Sequence, residues 1–157
     1  MEVFGKTTIN PFTFYSGKIT GYFTWIGLIL AILNVEFLPR HSFAYSNYLS
    51  YGLLTTGFLI ALISLILLGR STRFGLPAKK TKFKTSGIYR LSRNPMYLGF
   101  DLMTLASVIY FLTPLILIMG IYSIAVYHFI IIGEEKFLET TFGNDYKEYK
   151  SKVRRYL

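Results

Sequence analysis

Cysteine is absent from the 157 residues, which excludes disulfide staples, thiolate metal sites and cysteine nucleophiles. Histidine is nearly so: His41 and His128 are too few for a histidine-built metal centre, and no metal site is expected. Acids are scarce as well, 8 Asp+Glu against 17 Lys+Arg, leaving a formal charge of +9. In a soluble protein that excess points first to nucleic acid. Here 52% hydrophobic residues and a mean hydropathy of +0.42 argue against a soluble globule and place the basic residues beside an anionic membrane surface. Internal repeats, low-complexity tracts and linkers are also lacking, so a single domain over 1–157 is expected.

What the chain does have is long uncharged runs. Residues 19–38 are roughly one bilayer thickness as a helix, with Glu36 near the end and Pro39-Arg40 as the stop. Residues 49–68 carry no charge at all and stop at Gly69-Arg70. From 95 to 133 the chain is apolar for about 39 residues, about twice one span, interrupted by Asp101, His128 and Thr113-Pro114, which predicts a membrane hairpin turning near Pro114. The polar, aromatic N-terminal stretch lacks the short apolar core of a cleavable signal, and Phe12 to Phe23 reads as an interface anchor. After the hairpin two short amphipathic helices are expected, one over 133–142 closed by Gly143 and one starting near Asp145 with Glu148 completing a capping box. The fold class is therefore all-α, an integral membrane protein of about four spans, the last two a hairpin followed by short cytoplasmic amphipathic helices.

Orientation follows from the short connections. Between residues 70 and 93 lie Arg70, Arg73, Lys79, Lys80, Lys82, Lys84, Arg90 and Arg93 without one acid, and the C-terminal tail adds Lys136, Lys147, Lys150, Lys152, Arg154 and Arg155. Both segments belong on the cytoplasmic side, and so do both termini. The lysine run reads as a solvated face toward lipid headgroups. A hairpin returns its ends to one face, so Arg93-Asn94-Pro95 should meet Glu134-Glu135, joined by the Gly87-Ile88-Tyr89-Arg90 turn and by Tyr146, Tyr149 and Arg155. Two carboxylates, several tyrosines and several arginines, without a nucleophile–base pair, suit binding a zwitterionic or cationic cofactor better than hydrolysis. The bland alternative is a charge belt at the membrane edge.

These residues resemble a known family. Gly87-Ile88-Tyr89-Arg90, then Ser92-Arg93-Asn94-Pro95-Met96-Tyr97-Leu98-Gly99, then Glu134-Glu135 with Leu138, Phe142-Gly143, Tyr146, Tyr149, Val153 and Arg155 look like the signature of the isoprenylcysteine carboxyl methyltransferases, much of it shared with the related phospholipid N-methyltransferases. The likeness runs from about Gly69 to Leu157. Asn94 stands where many members have histidine, and Arg154 where a proline usually precedes the final arginine.

The resemblance implies two N-terminal spans in 1–69 and a cofactor-binding core in 70–157. It further implies an enzyme using S-adenosylmethionine on a lipophilic acceptor that enters from the bilayer, as an isoprenylcysteine-like carboxylate does. On that reading Tyr89, Asn94, Pro95, Tyr97, Leu98, Gly99, Glu134, Glu135, Tyr146 and Tyr149 bind the cofactor, with Glu135 the favoured carboxylate. Arg90, Arg93 and Arg155 are the candidates to pair with a carboxylate at the reacting centre. The partners implied are the lipophilic or prenylated substrate and membrane lipids. Methylation of a phospholipid or other amine is the alternative within enzymes. A sterol reductase is disfavoured because Met96-Tyr97-Leu98-Gly99-Phe100 replaces that group's Asn-Tyr-x-Gly-Glu. Outside enzymes stand a small transporter using Asp101 and His128 as a proton relay and a structural membrane protein.

Overall fold

A computed structural model describes residues 7–35, 38–69 and 83–157. Among them the chain is all-helical, with five α-helices and no strand: α1 Pro11–Ile32, α2 Ser46–Leu68, α3 Pro95–Phe111, α4 Pro114–Phe142 and α5 Asn144–Lys152, with a short 3₁₀ turn at Gly87–Arg90 before α3. Glu36, the stretch Arg70-Ser71-Thr72-Arg73 and Lys79, Lys80 and Lys82 of the basic loop lie outside the described residues.

α1 begins eight residues before the first apolar run does. Asn10 accepts the Phe12 N–H through its side chain at 2.9 Å and Pro11 sits in the first turn, so local capping starts the helix where hydropathy is still low. It also ends at Ile32, short of the expected 38, as Asn34 turns to a φ of 62°. α2 matches its run closely. The hairpin is present as expected: α3 stops at Phe111, Leu112 takes a left-handed conformation, Thr113 caps and Pro114 opens α4.

Two expectations for the C-terminal part are corrected. Residues 133–142 are the last turns of α4 and not a separate helix, because nothing at Gly133 interrupts the backbone ladder. The capping box does not form either: Gly143 is the cap of α5, no side chain caps it, and Glu148 pairs with Lys152 one turn on.

α2 and α4 are each long and apolar enough to cross a membrane. Many of their large apolar side chains, among them Phe58, Ile66, Ile118 and Ile121, are exposed. α1, α3 and α4 enclose a core of Phe14, Trp25, Tyr97, Met103, Val126, Tyr127, Ile130 and Ile131. Within it the Trp25 indole donates to Thr104 Oγ1 at 2.8 Å, so its polar handle is not stranded. Toward the α3–α4 turn a second cluster holds Leu28, Ala31, Ala106, Tyr110, Phe111 and Ile116. There Arg40 lies 4.1 Å over the Tyr110 ring, tying the α1–α2 connection to α3.

α2 and α3 approach at backbone distance. A Cβ on Gly57 would lie 2.6 Å from the Gly99 carbonyl oxygen, and one on Gly99 would lie 2.5 Å from the Gly57 carbonyl oxygen and 2.8 Å from the Ala61 nitrogen. Small residues let two helices pack this closely.

Candidate functional site

The site grows from the α3 N-terminus. Proline at position 95 forbids continuation of a helix backward, so residues 91–94 must turn, and their polar groups need partners from elsewhere. The segment after α5 supplies them. The Arg93 N–H donates to the Arg154 carbonyl at 3.0 Å, and Ser92 Oγ donates to the Arg155 carbonyl at 3.1 Å while accepting the Asn94 N–H. Ser92 is buried in this knot, a role that its place in the motif alone does not reveal.

Glu135 stands at the centre and is 3% exposed. Its Oε1 accepts from Arg93 Nε at 3.0 Å and Asn94 Nδ2 at 3.1 Å, and its Oε2 accepts from Arg155 Nε at 3.2 Å and Nη2 at 3.0 Å. The second Arg93 nitrogen, Nη2, completes a two-pronged contact on Oε1. Arg93 Nη1 also donates to the Lys150 and Val153 carbonyls. Glu135 and Arg93 are thus occupied by internal partners. Arg155 differs: its side chain keeps 34% of its surface in the open beside a glutamate that keeps only 4%. Hydrogen bonding to Glu135 raises the Arg155 guanidinium further above its ordinary range, so its charge is permanent.

Glu134 points elsewhere. Its Oε1 accepts the Tyr97 hydroxyl at 2.7 Å, and Lys18 of α1 lies close enough to interact with its charge. Tyr89 is buried against the end of α2, where its hydroxyl reaches the Ser64 carbonyl at 3.4 Å. The Tyr149 hydroxyl donates to the Tyr89 carbonyl at 2.6 Å. Burial pushes the Tyr149 phenol up to about 12, so it stays protonated as this donor. Tyr146 and Tyr149 pack on Phe83, with ring centroids 5.6 and 5.7 Å away. Removing the donor in Tyr149→Phe leaves a buried carbonyl unpaired and should cost about 1–2 kcal/mol, read as a lower unfolding midpoint in detergent.

The remaining candidates divide. Pro95 is buried as the first residue of α3, and Gly99 faces α2 at backbone contact rather than an open site. Arg90 is exposed on the 3₁₀ turn, and among the described residues no hydrogen bond or ion pair joins it to the Glu135 network. Leu98 lines a groove between α3 and α4 of about 460 Å³, together with Asp101, Ile124, Ala125, His128, Phe129 and Tyr156. The volume falls within the roughly 300–1,000 Å³ of small-molecule sites. One wall is fixed by His128 Nδ1 and the Tyr156 hydroxyl at 2.7 Å with the rings stacked. In the groove Asp101 Oδ1 is buried and has no hydrogen-bond partner among the described residues. Tyr156 was missed from sequence, although it directly follows the motif's last arginine. No group of three or more metal-ligating side chains occurs among the described residues.

With this geometry in view, comparison with known families is decisive. The model of the phospholipid methyltransferase family matches residues 45–145, more than half of the chain. The chain belongs to the phospholipid methyltransferase family. It is a membrane-associated methyltransferase, and membership implies S-adenosylmethionine as the methyl donor. The family model runs from the start of α2 to the first turn of α5, so it contains the α3 N-terminus and both glutamates. Comparison with curated proteins and with solved structures gives no match.

Proposed function

We propose that the chain transfers the methyl group of S-adenosylmethionine to a lipophilic acceptor held in the bilayer, at the cytoplasmic pole where the α3 N-terminus, the polar end of α4 and the C-terminal segment meet. The observation that carries this reading is a fixed arginine–glutamate–asparagine knot abutting a 460 Å³ groove whose lining includes the motif residue Leu98. All four long helices cross the membrane in this reading, with both termini and the basic loop in the cytoplasm, as the arginines and lysines dictate.

The residues present fit a zwitterionic cofactor. Arg155, open on one side, pairs with its carboxylate, while Glu134 with Tyr97 takes its ammonium or ribose hydroxyls. Asn94, Tyr146 and the backbone at Pro95-Met96-Tyr97-Leu98 border its polar end. Glu135, Arg93, Tyr89 and Tyr149 hold that border in place through the bonds described above. When bound, S-adenosylmethionine supplies an electrophilic methyl group on a sulfonium. The chain's own task is then to orient the acceptor and exclude water, for which neither a covalent intermediate nor a metal is needed.

Two acceptor classes have specific support. The match to phospholipid methyltransferases favours a headgroup amine, and the motif resemblance favours an isoprenylcysteine-like carboxylate. The purified chain in lipid nanodiscs, incubated with labelled S-adenosylmethionine and separate phosphatidylethanolamine, prenylcysteine and fatty-acid acceptors, is expected to label at least one of them. Labelling of none, together with no cofactor binding by calorimetry, overturns the reading.

A further inference from the structure

We infer that Asp101 is a catalytic residue that pairs with an ammonium on the acceptor in the α3–α4 groove and takes its proton. The inference rests on the methyltransferase reading above and assigns a role that the cofactor-binding pole leaves unfilled.

Asp101 lies one turn after Tyr97 and Leu98 on α3, farther along the helix from the arginine–glutamate knot at its N-terminus, which on the proposed topology is deeper in the bilayer. It lines the groove with its Oδ1 buried and unpartnered. The Tyr127 and Tyr156 phenols lie near enough to interact with it, but neither brings a positive charge to neutralise it. His128 Nδ1 is engaged with the Tyr156 hydroxyl at 2.7 Å, and the positive groups of the pole, Arg93 and Arg155, are turned onto Glu135. A carboxylate without a partner in an apolar groove is costly to keep ionised and marks a functional candidate. The ligand that cancels this cost carries a positive charge and N–H donors. A carboxylate acceptor would instead bring a second negative charge into the same apolar groove.

The chemistry then follows from the low dielectric. An ammonium and a carboxylate paired in apolar surroundings gain by collapsing to neutral amine and neutral acid, because both charged forms lose hydration. The proton moves from the acceptor nitrogen to Asp101, and the freed lone pair forms the N–C bond as the S–C bond of the sulfonium breaks and its electrons remain on sulfur as a thioether. The new methylammonium then balances the charge, and Asp101 returns its proton to solvent past His128 and Tyr156 at the groove mouth. The acyl chains lie against the exposed apolar side chains flanking the groove, such as Ile121 and Ile132, in contact with the bilayer.

The test compares the parent chain with Asp101→Asn and Asp101→Glu in nanodiscs, with thermal melting to confirm folding. Asn is nearly isosteric, Oδ1 makes no bond to lose and the unpartnered charge is removed, so melting should be at or above the parent temperature. Asp101→Asn should keep cofactor affinity within about threefold by calorimetry, weaken phosphatidylethanolamine binding about tenfold without cofactor present, and leave phosphatidylglycerol binding unchanged. Methyl transfer to phosphatidylethanolamine should fall about a hundredfold or more, with partial recovery in Asp101→Glu. A tenfold loss of cofactor affinity in Asp101→Asn would place Asp101 on the cofactor and overturn the proposal. So would transfer within threefold of the parent, or a parent chain that methylates only carboxylate acceptors, an outcome that leaves the methyltransferase reading standing. A parent chain with neither cofactor binding nor transfer overturns both.

Discussion

Glu135→Ala is expected to reduce methyl transfer at least about a hundredfold and to loosen the Arg155 side chain and the backbone around it. The Glu135 side chain is 4% exposed, and Arg93, its stronger partner, is 8% exposed. Removing one member of such a buried pair strands the other as an uncompensated charge, which costs about 3–5 kcal/mol. At 1.36 kcal/mol per factor of ten, a loss of that size exceeds a hundredfold if it falls on the population that binds cofactor. The loss is amplified because Glu135 carries the side-chain link between Arg93 and Asn94 before α3 and Arg155 after α5, leaving the Arg155 guanidinium unheld while the bonds from Arg93, Ser92 and Asn94 to the Arg154 and Arg155 carbonyls persist. Arg93 would retain its bonds to the Lys150 and Val153 carbonyls, so α5 itself should stay docked while the last residues loosen. Hydrogen exchange across 153–157, measured beside cofactor affinity, reads the mechanism. Lost protection with lost affinity marks Glu135 as a positioning residue, whereas lost affinity with protection intact restores the direct cofactor contact that the sequence favoured. Glu135→Gln keeps an acceptor for one arginine and should fall between the two.

The convergence behind this result was legible in the sequence, because a hairpin of helices must return its ends to the same face. That logic brings Arg93 and Asn94 to Glu135 with nothing more than two spans and a turn at Pro114. Which glutamate is used up internally was not legible. Adjacent helical residues point about 100° apart, and the sequence does not reveal that Arg155 arrives on the Glu135 side while α1 brings Lys18 to the Glu134 side. Hydropathy located α2 and the hairpin well but misplaced α1, because its first two turns are polar and their capping signal, Asn10-Pro11, is local chemistry that an apolar run does not register. The same bias made Gly133 look like a helix boundary. In the folded chain it is a contact, since a Cβ there would lie 2.5 Å from the Thr8 side chain. The orphaned oxygen of Asp101 depends on what its neighbours do not donate, and no spacing rule encodes that.

Gly99→Val should be the most damaging single change outside the polar pole, lowering stability by about 3 kcal/mol and abolishing detectable transfer. Read from sequence, Gly99 belonged to the cofactor, as a place where backbone approaches a ligand closely. The close approach is real but its partner is α2. A Cβ at this position meets the Gly57 carbonyl oxygen at 2.5 Å and the Ala61 nitrogen at 2.8 Å, and backbone atoms cannot swing aside as a side-chain tip can. Valine adds two methyl groups to that collision, so the helices must separate along their length, and α3 carries Asn94, Tyr97, Leu98 and Asp101 with it. Gly57→Val should behave alike, since its Cβ would lie 2.6 Å from the Gly99 carbonyl oxygen. Gly52 on the same helix has nothing within 4 Å of an added Cβ, and Gly52→Ala provides the control: it should melt at or slightly above the parent temperature, because alanine favours the helix. Thermal unfolding in detergent ranks the three. Should Gly99→Val melt like the parent yet lose cofactor affinity, Gly99 would belong to the cofactor site after all, and the α2–α3 contact would have to be looser than 2.5 Å implies.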